Sequence, residues 1–278
     1  MGLKGKALWL GRLAGSVLLV GLMPGFAGLW SAQARARASW SRSVAGTQAQ
    51  ILRVPVRSFT VENANMAEAL LALRSSDVDH IIIGFERMPH LPGEKGGPIS
   101  VALTGGTVGQ IVQRLCEADP RYEYEVLEGA MVVVRPQNAT TDPSDLLNLE
   151  IQTYTIDAKV GAGEAIEHVW EDAPELRSLL RRKLEERAKR TGESSGFPGS
   201  IMSGNMPPPR FTLHLHNVTV RQILDAISLK SVDMFRQGPD YGPNGMPLKM
   251  APTGWEYDFT VDPNAPNGLG GYPKWTPF

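Results

Sequence analysis

His214 and His216 come nearest to a chemical site by type and spacing. Two apart on a strand, they would point to the same face and could offer two imidazole nitrogens to one metal. No third ligand is evident, because His168, Asp172 and Glu175 fall on a different element. Alternation with Phe211, Leu213 and Leu215 explains the pair as a solvent-facing row. Nucleophilic chemistry lacks its frame as well. Ser200 and Ser203 lie in GSIMSG, which has neither the spacing nor the preceding strand of a nucleophile elbow. Gly161-Ala162-Gly163 precedes a helix but has no third glycine at the dinucleotide spacing. Cys116, the sole cysteine, sits in an apolar helix as a small hydrophobe, so no intrachain disulfide is possible. Paired carboxylates do not stand out. The sequence assigns no catalytic, cofactor-binding or metal-binding residue and reads as a non-enzyme.

Two further groups fit binding rather than catalysis. Pro174 to Arg190, PELRSLLRRKLEERAKR, carries seven basic and three acidic residues, with Leu176, Leu179, Leu180 and Leu184 on one stripe. Such a helix can meet an anionic surface, but it more often is a solvated helix packed by its leucines, with local ion pairs through Glu185 and Glu186. Trp255, Tyr257, Tyr272 and Trp275 could stack on a glycan or small ligand, or pack the last strand.

The elements that would position these residues follow from periodicity. Val54 to Val61 alternates as a strand, with Val54, Val56, Ser58 and Thr60 on one face and Phe59 and Val61 on the other. Asn63 or Asn65 caps a helix from Met66 to Ser76 whose inner stripe is Met66, Ala67, Leu70, Leu71 and Leu73. His80 to Phe85 is a short β-branched run and reads as a buried strand. Ile99 to Thr104 is another strand, closed by a turn at Gly105-Gly106. Thr107 caps a helix with Val108, Ile111, Val112, Leu115 and Cys116 inside, stopped by Pro120. Tyr122 to Leu127 and Met131 to Val134 form a hairpin across Glu128-Gly129.

The pattern then recurs. Thr107-Val108 and Gln110-Ile111 return at Thr219-Val220 and Gln222-Ile223, 112 positions later. Phe59-Thr60-Val61 is echoed by Tyr154-Thr155-Ile156, and Glu68-Ala69-Leu70 by Glu164-Ala165-Ile166. The fold class expected is therefore α+β. It comprises two small modules, each a short mixed sheet with two helices packed on one face, of βαβ-βαββ type. The first spans residues 54–136. A polar hinge, 137–148, leads to a second, degenerate module at 149–261 with insertions at 173–209 and 236–253. Residues 262–278 read as an irregular tail.

Residues 1–38 have the form of an export signal. Lys4, Lys6 and Arg12 precede an apolar run from Leu13 to Trp30, and Ala32, Ala34, Ala36 and Ala38 offer cleavage sites. An uncleaved membrane anchor is the alternative. Residues 39–53 are a linker. Removing the first 38 residues takes the formal charge from −1 to −6, a balance that does not draw a chain to nucleic acid.

The strand ISVALTGG, the Thr-Val-x-x-Ile-Val-x-x-Leu helix, the YEYEV strand and the MVVVRP ending together resemble the small N-terminal domains of secretins and the STN domain of some TonB-dependent receptors. The resemblance runs from about Val54 to Pro136 and is looser in the second half. It implies a periplasmic or secreted interaction module of the bacterial envelope that contacts a partner protein or a copy of itself. No cofactor is implied, and membrane contact would come only through the N-terminal segment. Too few residues follow Thr260 for a pore or a receptor barrel, so an accessory scaffold is expected. A cell-wall glycan or small-ligand binding protein is the alternative.

Overall fold

Cap chemistry and strand alternation set the elements of the computed structural model, which describes residues 49–76, 81–94, 96–142, 145–157, 161–192, 212–237, 252–261 and 272–278. The export signal, most of the linker, and Ser200 and Ser203 lie outside the described residues. The fold is α+β, with small mixed sheets and helices packed against them. A short α1 (Ala49–Leu52) leads into β1 (Pro55–Ala64), α2 (Met66–Ser75), β2 (Ile82–Glu86) and β3 (Ile99–Thr107). Then follow α3 (Val108–Ala118), β4 (Tyr122–Leu127) and β5 (Met131–Pro136). Asn65 starts α2 through a capping box with Glu68, and Thr107 starts α3 through the same device with Gln110. Glu128 and Gly129 both take positive φ, 47° and 66°, in the three-residue β4–β5 connection, where Ala130 N–H donates to the Leu127 carbonyl at 3.0 Å.

The second half repeats this plan with changes. It runs β6 (Glu150–Ile156), α4 (Ala162–Glu167), α5 (Val169–Asp172) and α6 (Pro174–Thr191). Next come β7 (Leu213–Thr219), α7 (Val220–Gln237), β8 (Trp255–Thr260) and β9 (Tyr272–Pro277). β1 and β3 form a two-stranded antiparallel ribbon, as do β6 and β7. The registers agree with the repeat: Phe59 faces Leu103, and Tyr154 faces Leu215, the same pair shifted by 95 on one strand and 112 on the other. The cap recurs too, with Thr219 N–H donating to Gln222 Oε1 at 2.8 Å and Gln222 N–H to Thr219 Oγ1 at 3.3 Å. Two residues before each cap the strand kinks through positive φ, at Asn63 (53°), Gly105 (73°) and Asn217 (51°).

Both halves meet in one five-stranded sheet of order β4-β5-β2-β8-β9, in which β2 runs parallel to β5 and to β8. Its two faces carry separate cores. Ile83, Phe85, Val132 and Val134 point to a core with Phe59, Leu70, Leu73, Ile111 and Leu115. Their neighbours Ile82, Met131 and Val133 point to the other, with Tyr154, Ile166, Leu176, Ile223 and Trp255. A strand buried on both faces reads as an unbroken apolar run, which is why HIIIGF has no polar alternation. Gly84 lies under the indole of Trp255, where a Cβ would come within 3.0 Å of the ring and 2.6 Å of Met131 Cε.

Several expectations are corrected. The tail is not irregular at its end: β9 pairs with β8 from Trp255–Pro277 to Thr260–Tyr272, and Phe278 is buried in the first core. Pro273 and Pro277 fit this strand because an edge position tolerates residues that lack an N–H. Gly105 and Gly106 do not turn the chain. They continue β3, with Gly106 opposite Val56. The hinge at 137–148 is packed, with Leu146 and Leu147 buried and Asn148 Nδ2 donating to the Ala139 and Asp142 carbonyls at 2.7 and 2.6 Å. α7 runs through 237, past the expected start of the second insertion. Leu71, placed on the inner stripe of α2, is 51% exposed. The two modules do not own separate sheets, because the second has α5 and α6 where the first has β2, and its hairpin joins β2 instead.

Candidate functional site

The residues singled out for chemistry are not gathered into a site. His214 and His216 are exposed on β7, and His216 Nδ1 lies 3.4 Å from Thr153 Oγ1. His168 pairs with Glu171 at 2.8 Å, while Glu175 accepts from the Gln152 N–H at 3.3 Å. No group of three or more metal-ligating side chains forms among the described residues. Cys116 is half-buried, and burial together with Asp119 and Glu123 pushes its thiol up to about 12, far from a reactive thiolate. Trp255, Tyr257 and Trp275 are buried in the second core. Trp255 Nε1–H donates to Asp225 Oδ1 at 3.0 Å, and the Tyr257 and Trp275 rings pack at a 45° tilt with centroids 5.8 Å apart. Burial pushes the Asp225 carboxyl up to about 7, against the pull of that indole hydrogen bond. Of α6, Leu176, Leu180 and Leu184 are buried and Leu179 is half-buried. Its arginines at 177, 181 and 182 face solvent.

What the fold does assemble is a cleft of about 370 Å³ where β2, β5 and β8, three neighbouring parallel strands, end together. The carboxyl ends of parallel strands are where open α/β sheets leave a crevice, because each chain departs to a different layer. Glu86, Pro136 and Phe259 mark the strand ends; the connector supplies Asn138, Asp142 and Asp145, and α6 supplies Lys183.

Under the cleft lies a buried ionic network. Arg221, the second residue of α7, sends Nε and Nη2 to Glu86 Oε2 at 3.2 and 2.8 Å. Nη2 also reaches Asp145 Oδ2 at 2.9 Å, and Nη1 donates to Asn148 Oδ1. The Arg221 and Glu86 side chains are 6% and 4% exposed. One guanidinium thus faces two carboxyl groups. Burial, with the Asp145 charge adding to it, pushes Glu86 up to about 8 against the attraction of Arg221. A single guanidinium needs one negative charge to balance it, and a proton on Glu86 supplies that balance. The network ties β2 of the first half, the connector and α7 of the second half into one unit.

Beside it, Arg87 Nη2 pairs with Glu256 at 3.0 Å, and Asp258 accepts from His90 Nε2 at 2.7 Å. These pairs pin the strand extension after β2 along β8, where His90 N–H also donates to the Phe259 carbonyl at 3.2 Å.

Glu86, Asp145 and Arg221 carry no motif, so periodicity did not select them. The available signal was local. Glu86 closes the apolar run HIIIGF, and Arg221 stands between Val220 and Ile223 in the buried stripe of α7.

Open strand edges are the other feature able to act on a partner. Both ribbons have only two strands among the described residues. β9 is guarded by Pro273, Lys274 and Pro277, β4 by Glu123 and Glu125, and β1 by Pro55, Arg57 and Glu62. β3 alone among the described strands has neither proline nor an ionisable side chain, and its Ser100, Ala102 and Thr104 are exposed. Natural edges are blunted by charge or proline, and β3 carries neither along its nine residues.

Compared with known proteins, the chain matches no family model, no curated protein and no solved structure.

Proposed function

We propose that this chain is an exported scaffold module of the bacterial envelope that binds a protein partner, or a second copy of itself, through its strand edges, above all β3. The observation that carries the reading is the unguarded β3 edge, a nine-residue row of main-chain donors and acceptors with no charge to repel an incoming strand. The strand, helix and hairpin order at Ile99 to Pro136 supports the resemblance to secretin N-domains and STN domains, and with it an accessory role in a secretion or TonB-dependent system. No cofactor enters this reading, and it needs no catalytic group.

Purification of the full chain from envelope fractions, with its mass measured by light scattering, tests the proposal. A stoichiometric partner or a defined oligomer is expected. A monomer that brings down no protein sinks it. The glycan-binding alternative would need Trp255, Tyr257 and Trp275 at the surface, whereas all three rings are packed inside the second core.

A further inference from the structure

We propose that His214 and His216 form a two-imidazole site for a divalent transition metal, Cu(II) or Ni(II), on the exposed face of the β6–β7 ribbon. Both side chains are exposed and share one face of β7, and the ladder sets them opposite Thr155 and Thr153. At a rise of ~3.3 Å per residue their Cα atoms stand about 6.5 Å apart, a span that two imidazoles close by leaning toward an ion ~2 Å from each nitrogen. His216 Nδ1 lies 3.4 Å from Thr153 Oγ1. When Nδ1–H donates to that hydroxyl, the tautomer keeps a bare lone pair on Nε2, the arrangement of most metal-bound histidines.

The internal repeat supplies the comparison that singles the pair out. On the same face of the β1–β3 ribbon, Ser58 stands opposite Thr104 and Thr60 opposite Ala102. Shifted by 95 on one strand and 112 on the other, these positions become Thr153 opposite His216 and Thr155 opposite His214. One strand keeps its hydroxyls, while the other exchanges Ala102 and Thr104 for imidazoles. All eight residues are exposed, and the first ribbon forms its ladder with a methyl and a hydroxyl where the second has histidines. Neither packing nor strand pairing therefore asks for two imidazoles here.

The number of donors selects the ion. His168 is engaged by Glu171 at 2.8 Å, and no group of three or more ligating side chains forms among the described residues. Zinc sites draw three or four ligands from the protein. Two nitrogens completed by water oxygens suit the tetragonal N,O geometry of Cu(II) and Ni(II), and Cu(II) binds the tighter of the two in the general order of divalent ions. The site lies on the other ribbon from the β3 edge and does not depend on pairing there.

Calorimetric titration of the untagged full chain with Cu(II), Ni(II) and Zn(II) chlorides tests the site. One tightly held Cu(II) per chain is expected, bound more strongly than Ni(II) or Zn(II), with paramagnetic resonance showing coupling to two imidazole nitrogens. His214→Ala and His216→Ala should each weaken Cu(II) binding at least tenfold, because a second donor on the same strand face acts at high effective concentration. Both should keep the wild-type urea midpoint, since the face is exposed. His168→Ala should bind as the wild type does. The proposal is overturned if no Cu(II) binds saturably at micromolar concentration, if either β7 substitution leaves the affinity unchanged in folded protein, or if His168→Ala weakens binding as much as they do.

Discussion

Replacing Arg221 by methionine should be the most informative single change in the molecule. The guanidinium is buried and makes four hydrogen bonds to Glu86, Asp145 and Asn148. Methionine keeps much of the side-chain volume, so the loss is chiefly electrostatic. Removing one partner of a buried ion pair leaves the other uncompensated and costs about 3–5 kcal/mol. That is a third or more of the ~5–15 kcal/mol by which a domain is usually stable. The cost should also depend on pH. Without Arg221, nothing offsets the burial that raises the Glu86 pKa, which moves further up, so its contribution is retained in acid and lost as pH rises. Urea unfolding at pH 5 and pH 8 should therefore show a larger loss at the higher pH. A loss below about 1 kcal/mol at pH 8, the value of an exposed pair, or a loss independent of pH, would refute the reasoning.

Other substitutions follow from the same structure. Glu86 is raised from its ordinary 4.5 to about 8, so the folded chain holds an extra proton between those values. Its contribution to stability declines with a limiting slope of about 1.4 kcal/mol per pH unit as pH rises through that window, and Glu86→Gln should flatten that part of the stability–pH curve. Thr107→Ala and Thr219→Ala should each cost about 1 kcal/mol in urea unfolding, and nearly additively, because each removes one cap from a separate helix. Gly84→Ala should cost about 1–3 kcal/mol by driving a methyl into Met131 and the Trp255 ring. Truncation before Tyr272 should destabilise both cores, since it removes the buried Trp275 and Phe278; near-wild-type thermal unfolding would contradict the placement of β9.

Much of the fold was legible because it follows local rules. Asn65 and Thr107 announced their helices as caps, and Glu128-Gly129 announced its hairpin. The offset repeat was readable before any coordinate, and the ladder registers Phe59–Leu103 and Tyr154–Leu215 repeat it in space. What escaped depends on distant parts of the chain. Nothing near Trp255 says that its strand will lie against β2, 171 residues earlier, where among the described residues the second half has α5 and α6 in place of a matching strand. The closing strand was hidden by its prolines, whose tolerance depends on an edge position that only the assembled sheet defines. The ionic network was hidden for the same reason: Glu86, Asp145 and Arg221 belong to three elements, and each alone resembles an ordinary surface charge.

The proposed scaffold role is tested most directly on β3. A photo-crosslinking amino acid placed at Ala102, on the exposed face of that strand, is compared in intact envelopes with one at Ser178, exposed on α6. A discrete adduct with one protein, or with a second copy of the chain, is expected from position 102 only, and it should be lost when Thr104→Lys puts a charge on the same edge. No adduct at 102, or equal adducts at both positions that persist with the lysine, would contradict it.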